Sequence, residues 1–291
     1  MRTRHAPHAV PGFPVYSSSF ISENELVLGG GGGQSRSGVK NKLRLYKVGS
    51  ETSFELLDEF ELEKGEDAPM SMAAHVETGT IICGVNSALE KLEKGENDNC
   101  RVISVQEHKY VTVQAPGGTK VTVLCPDGTL LAVAGSHDLS VLSYPTLAPV
   151  FAPIHTEKEI YDASFSATTL VIATTTALLV YALPASKEAI SVFYPADDKG
   201  KGKAKKAVSE NQTELLKLEL LQTVEVPASV GGVAAGATFR AASVINVSPP
   251  RNRKGSSSSR QSFICKWNAK TWMTDKTRKI GDRGVTCFDI R

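Results

Sequence analysis

Residues 121–135 read Val-Thr-Val-Leu-Cys-Pro-Asp-Gly-Thr-Leu-Leu-Ala-Val-Ala-Gly. A short run of Val, Thr and Leu, Val121–Leu124, suits a strand. Pro126–Thr129 carries Pro-Asp-Gly, residues that preset and tolerate turn conformations. A second apolar run, Leu130–Gly135, follows and ends in small residues. Strand, turn, strand ending small is therefore the unit to look for elsewhere in the chain.

It recurs. Tyr16–Phe20, a Ser22–Glu25 turn and Leu26–Gly29 form one copy, and Met70–His75, Glu77–Thr80 and Ile81–Gly84 another. Tyr161–Phe165, Ser166–Thr169 and Leu170–Thr174 form a further copy, and Ala237–Ala242 followed by Ser243–Val247 a less regular one. A third strand is expected at Lys42–Val48, Leu139–Tyr144, Leu178–Leu183 and Ser262–Trp267, and a fourth at Phe54–Leu62 and Tyr110–Gln114. Long segments of helical period are nearly absent. The best candidate, 214–221, reads equally as a strand with Leu216, Leu218 and Leu220 on one face.

Four antiparallel strands per repeat of about 40–45 residues is the pattern of a WD-type β-propeller blade. Small residues at the end of the second strand fit, because blades converge on a narrow axis. A β-sandwich also gives short alternating strands; at this length it would need two domains, and no linker separates the halves. The expected fold is thus an all-β WD-repeat-type β-propeller. Its repeats are degenerate, because no copy carries the Gly-His and Trp-Asp signature. Blades are placed at about 12–64, 68–116, 119–157, 160–228 and 236–282, after an N-terminal tail at 1–11. Residues 285–291 read as the start of a next blade, so about five blades are expected, C-terminally incomplete relative to a seven-bladed ring.

The chain has 291 residues, 41% of them hydrophobic, enough apolar material for a folded body, and a formal net charge of +2. A near-neutral balance gives no global electrostatic case for nucleic acid, and no nucleic-acid partner is expected. Cys83, Cys100, Cys125, Cys265 and Cys287 are odd in number and include no CxxC pair, which argues for reduced thiols rather than zinc ligands. No stretch approaches the ~18 apolar residues of a membrane span, and 1–10 lacks the apolar core of a secretory signal. Two basic insertions, 197–210 and 249–260, are expected to be flexible, because they cannot bury apolar area. His137-Asp138 is expected to be structural, since adjacency in sequence is not triad geometry.

The unusual segment follows the second strand of the first repeat. Gly29–Gly33 are consecutive glycines, followed by Gln34-Ser35-Arg36-Ser37-Gly38-Val39-Lys40-Asn41-Lys42. A hairpin needs only about two to five loop residues. Gly33 and Gly38 copy the glycine spacing of a phosphate-binding loop, but Val39 stands where that motif needs lysine, and Lys42–Val48 alternates as a strand where the motif needs a helix. Two readings stay open: a mobile glycine connector, or an ordered functional loop whose carbonyls turn inward toward a hard cation and whose tip, Val39–Asn41, meets a partner.

Gly12-Phe13-Pro14-Val15-Tyr16, Phe20, Glu25–Gly32 and Gly38-Val39-Lys40-Asn41-Lys42 together resemble one family. It is that of the endoplasmic-reticulum WD-repeat exchange factors for the Sar-type small GTPase, which start COPII coat assembly and ER-to-Golgi transport. Its animal representative is called prolactin regulatory element-binding protein. The specific likeness covers roughly residues 12–48; the remainder agrees in blade pattern only. The resemblance implies a guanine-nucleotide exchange factor and not an enzyme with bond-making chemistry. It implies a potassium ion held by backbone of Gly32, Gly33 and Gly38. It implies partner contact through Val39, Lys40, Asn41 and Lys42, with Val39 in an apolar pocket of the GTPase. Asn41 would be the essential polar residue, ordering the loop or touching the switch region. It further implies residence on the cytosolic face of the ER membrane, attached through a segment absent from this chain. The alternative is a non-catalytic propeller scaffold that binds other proteins; DNA binding through the basic insertions is a third reading.

Overall fold

The computed structural model describes residues 8–34, 38–49, 53–105, 109–113, 119–184, 215–248 and 260–285. Their strands form five four-stranded antiparallel sheets, each an uninterrupted meander. The first is β1 (Val15–Phe20), β2 (Glu25–Gly30), β3 (Lys42–Val48) and β4 (Phe54–Glu61). The second is β5 (Ser71–His75), β6 (Thr80–Gly84), β7 (Cys100–Ser104) and β8 (Lys109–Val113). The third is β9 (Val121–Leu124), β10 (Leu130–Ala134), β11 (Asp138–Ser143) and β12 (Ile154–His155). The fourth is β13 (Ile160–Phe165), β14 (Thr169–Thr174), β15 (Ala177–Ala182) and β16 (Leu220–Glu225), and the fifth β17 (Ala237–Ala241), β18 (Val244–Val247), β19 (Gln261–Trp267) and β20 (Thr274–Gly281). The first strands of all five sheets line one central channel, and successive ones pack side by side. The described residues form five blades of a β-propeller.

The second strands of the middle blades are almost wholly apolar because neighbouring blades cover both of their faces. Leu130, Leu131, Ala132, Val133 and Ala134 of β10 are all buried: Leu131 and Val133 pack with Ile82 and Cys100 of the second blade, and Leu130 and Ala132 with Ile160, Leu170 and Ile172 of the fourth. Val27 and Leu43 meet Ile81, Cys83 and Ile103 between the first and second blades, and Ala173 and Leu178 meet Phe239 and Ile245 between the fourth and fifth. Burying each such side chain contributes about 1.5–3 kcal/mol, so the sides of the blades, more than any single sheet, hold the fold together.

Several expectations shift. The third strand of the second blade and the fourth strands of the last three were not legible as separate elements. In the fourth blade the outer strand starts at Leu220; before it only Leu218 packs inward, while Leu216 and Leu220 stay exposed, so the alternation over 214–221 marks no buried face. The expected tail already packs at its end: Val10 lies against the cluster of Phe13, Leu28 and Tyr46, and His8 stacks on Phe54, 5.1 Å between ring centroids. Residues 197–210 lie outside the described residues, as do 249–259 of the second basic insertion and 286–291 of the expected next blade.

Candidate functional site

The glycine run divides into two parts with different physical causes. Gly29 and Gly30 belong to β2, paired with Ser17 and Val15 of β1. A Cβ on Gly29 would stand 2.5 Å from Ser17 Oγ and 2.8 Å from Pro69 Cβ, and one on Gly30 would overlap the Pro14 carbonyl oxygen. These two glycines let chain segments approach where the blade meets the axis. The loop proper begins at Gly31, whose N–H donates to the Pro14 carbonyl (2.9 Å). Gly31, Gly33 and Gly38 have φ of +138°, +64° and +78°, the region that glycine alone enters cheaply.

One side chain ties the loop together. Asn41, just before β3, accepts the Gly33 N–H through Oδ1 (2.8 Å). Its Nδ2 donates to the Gly33 carbonyl (3.1 Å) and to the Glu66 carbonyl (2.7 Å). The Gly32 N–H donates to the Val39 carbonyl (3.2 Å), and the Asn41 carbonyl accepts the Leu62 N–H (2.9 Å). Gly31 must be glycine for the same reason: a Cβ there would lie 2.6 Å from Asn41 Cα. The side-chain amide mimics a strand partner for Gly33, so a glycine that composition alone would leave mobile is held in place.

Beneath it runs a buried support. Glu66 and Arg101 form an ion pair with side-chain exposures of 5% and 4%. Glu66 Oε2 also accepts the Glu63 N–H (3.1 Å), which holds 63–66 in the turn whose carbonyl receives Asn41. On the outer side Gln34 Nε2 donates to the Ser87 carbonyl (3.2 Å) of the second blade. The Asp67 N–H donates to the Asn86 carbonyl (3.0 Å), joining the same two blades. Sequence reasoning missed Glu66 and Arg101. They stand far from Asn41 in the chain, and no local pattern marks an acid and a base destined for one buried contact.

Of the expected partner residues, Val39 is half-buried and Lys40 exposed, its Nζ 2.7 Å from Glu61 Oε1. Lys42 lies in β3 and is engaged by Glu59, which Arg44 also reaches at 3.3 Å. Hydrogen bonding from Lys42 holds the Glu59 carboxyl below the usual range. The structure thus brings Gly32, Gly33, Val39 and Asn41 into one bonded unit, with Lys40 at its rim and Gly38 exposed beside it.

Asp67 Oδ1 lies 3.1 Å from where a Gly33 Cβ would stand and accepts the Ala68 N–H (2.8 Å), so the oxygens near the turn are already engaged in hydrogen bonds within the protein. Among the described residues no cluster of three or more His, Cys, Asp or Glu could hold a metal.

His137 and Asp138 do not act together: His137 Nδ1 lies 3.1 Å from the Thr156 carbonyl, and Asp138 pairs with His155 Nδ1 at 2.9 Å. Cys83, Cys100, Cys125 and Cys265 are free and buried, and burial pushes the Cys100 thiol up to about 11. Raised thiol values argue against nucleophilic use, which needs the thiolate. Cys287 lies outside the described residues.

Fold and site together define a β-propeller whose distinguishing feature is an asparagine-pinned glycine loop. Over about half its length the chain is similar to proteins named as Sec12 and Sed4 guanine nucleotide-exchange factors. It is 31% identical to the guanine nucleotide-exchange factor SEC12 of Candida glabrata over 170 residues, 53% of this chain and 37% of that protein. It is 29% identical to SED4 of the same yeast (62% of this chain, 18% of that one) and 27% identical to SED4 of Saccharomyces cerevisiae (53% and 16%). The chain therefore spans well under half the length of each of these relatives. No protein-family model matches. Among solved structures, a chain from a crystal structure of the mitotic checkpoint complex matches with a TM-score of 0.39 at 16% identity, over 55% of this chain and 46% of that one. Among the described residues no helix is long and apolar enough to cross a membrane.

Proposed function

We propose that this propeller is a guanine-nucleotide exchange domain that promotes GDP release from a Sar-type small GTPase on the cytosolic face of the ER membrane, starting COPII coat assembly and ER-to-Golgi transport. The observation that carries the reading is the three-bond clasp of Asn41 on Gly33 and Glu66. It gives a glycine loop a fixed shape, and a fixed shape is what a loop needs to bind one state of a partner better than another.

Exchange needs no proton transfer or covalent step. A partner that binds the nucleotide-free GTPase more tightly than the GDP-bound form lowers nucleotide affinity by the same coupling energy. A factor of ~10³ requires about 4 kcal/mol of such difference. Val39, half out of the surface, supplies an apolar contact, and beside it stands Lys40, paired with Glu61. A loop that does not have to be ordered on binding leaves more of its contact energy for that difference. Potassium, held by backbone oxygens of Gly32, Gly33 and Gly38, would add rigidity to the same turn. Attachment to the membrane, in this reading, belongs to a segment beyond these residues.

The test is release of a fluorescent GDP from a purified Sar-type GTPase, in potassium and then in sodium buffer. Acceleration that is stronger in potassium supports the whole reading. Equal acceleration in both buffers keeps exchange and removes the ion. No acceleration by folded protein leaves a scaffold that binds without exchanging.

A further inference from the structure

Three of the five channel-lining strands carry a β-bulge. The extra residues are Tyr16 in β1, Tyr161 in β13 and Arg240 in β17. β5 and β9 pair without any shift. A bulge re-aims one side chain out of the regular alternation. Here all three residues line the channel, a cavity of 470 Å³, and at the end where β1 and β13 begin the Arg240 guanidinium sits over the Tyr161 ring, 4.2 Å from its centroid.

That end is the face that carries the glycine loop. Val15 of β1 pairs with Gly30, and the Pro14 carbonyl receives the Gly31 N–H, so Tyr16 stands two residues from the anchor of the loop. Tyr16 and Met70 are each 40% exposed there, and Val15 39%. Lys120 is at the same mouth but is already paired with Glu159 (2.5 Å), which also accepts the Tyr161 hydroxyl (3.0 Å). Asp162, the other channel carboxylate, has an interaction of its own. Arg240 has no carboxylate partner among the described residues; its contact is the face of Tyr161. Tyr, Met and Arg are the residue types that protein interfaces enrich.

We propose that the channel mouth is a second docking point for the GTPase. Arg240, preset by Tyr161, receives a carboxylate side chain of the partner, and Tyr16 and Met70 take the apolar residues around it. The proposal rests on the exchange reading and assigns it a division of labour: the glycine loop acts on the nucleotide site, while the mouth supplies affinity and orientation. An unpaired, half-buried guanidinium costs little to desolvate when a carboxylate meets it, and its bidentate geometry fixes the angle of approach.

GDP release is measured against exchange-factor concentration for wild type, Arg240→Glu, Arg240→Gln, Tyr16→Ala and Asn41→Ala, with a melting curve for each. The expected result is a half-saturating concentration raised at least about tenfold by Arg240→Glu, about 1.4 kcal/mol, with the maximal rate kept. Arg240→Gln and Tyr16→Ala shift the same parameter less, whereas Asn41→Ala lowers the maximal rate. If Arg240→Glu melts early, the neutral Arg240→Gln decides instead, and its shift is still required. A folded Arg240 variant with wild-type half-saturation overturns the docking role while leaving the exchange reading standing. Wild-type protein that fails to release GDP at any concentration overturns both.

Discussion

Replacing Asn41 removes the side chain that bonds Gly33 on both its N–H and its carbonyl. Asn41→Ala loses three hydrogen bonds at 2.7–3.1 Å. At about 0.5–1.5 kcal/mol net for each, and with water able to reach Gly33 once the loop opens, the local loss is about 2 kcal/mol. That corresponds to roughly a thirtyfold rise in the open population of the loop. Asn41→Asp is the sharper perturbation. It keeps an acceptor for the Gly33 N–H but loses both donors, and it sets a negative charge against the carbonyl oxygens of Gly33 and Glu66. It should therefore open the loop at least as much as alanine does, despite its near-identical shape. Hydrogen exchange at Gly31–Gly33, read by mass spectrometry or NMR, reports this directly. The blade cores should keep their protection in all three proteins. Wild-type protection of the loop in Asn41→Asp would refute the reasoning, because it would mean that shape and not donation holds the turn.

Other outcomes follow from the same contacts. Removing either half of the buried Glu66–Arg101 pair strands the other charge: Arg101→Met should cost about 3–5 kcal/mol in urea unfolding, and Glu66→Gln with Arg101→Met should recover most of it. Gly30→Ala should destabilise by about 1–3 kcal/mol, because its Cβ falls on the Pro14 carbonyl, a backbone atom that cannot rotate away. Burial raises the Cys100 thiol from 9.0 to about 11, so the folded state disfavours the thiolate. Its contribution to stability is complete below pH about 9 and declines as pH rises from there toward 11, which unfolding midpoints of wild type and Cys100→Ala across that window should show. At pH 8 native Cys83 and Cys100 should resist a thiol reagent that labels them at once in denaturant.

The inner strands of the blades were legible in the sequence and their outer strands largely were not. β10 and β14 are covered on both faces and so must be apolar at almost every position, which any scan detects. β16 and β20 lie at the rim with mostly exposed side chains, so no burial pattern marks them, and their pairing follows from the strand beside them. The glycine run was visible at once, but its division was not. Gly29 and Gly30 answer to Ser17, Pro69 and Pro14, contacts made only in the fold. Asn41 could be singled out by resemblance, while its bonds to Gly33 and Glu66 required the turn at 63–66 to be in place. That Tyr16, Tyr161 and Arg240 are bulged residues facing the channel was not legible, because a bulge shifts register by one residue and sequence alternation reads them as ordinary strand members.

The most direct test of the account is the rate of GDP release from a Sar-type GTPase with wild-type protein and Asn41→Ala run side by side at equal concentration, after both have shown the same far-ultraviolet circular dichroism. The account predicts clear acceleration by wild type and loss of most of it in Asn41→Ala. Equal acceleration by the two would contradict it, for the exchange activity would then not depend on the ordered glycine loop.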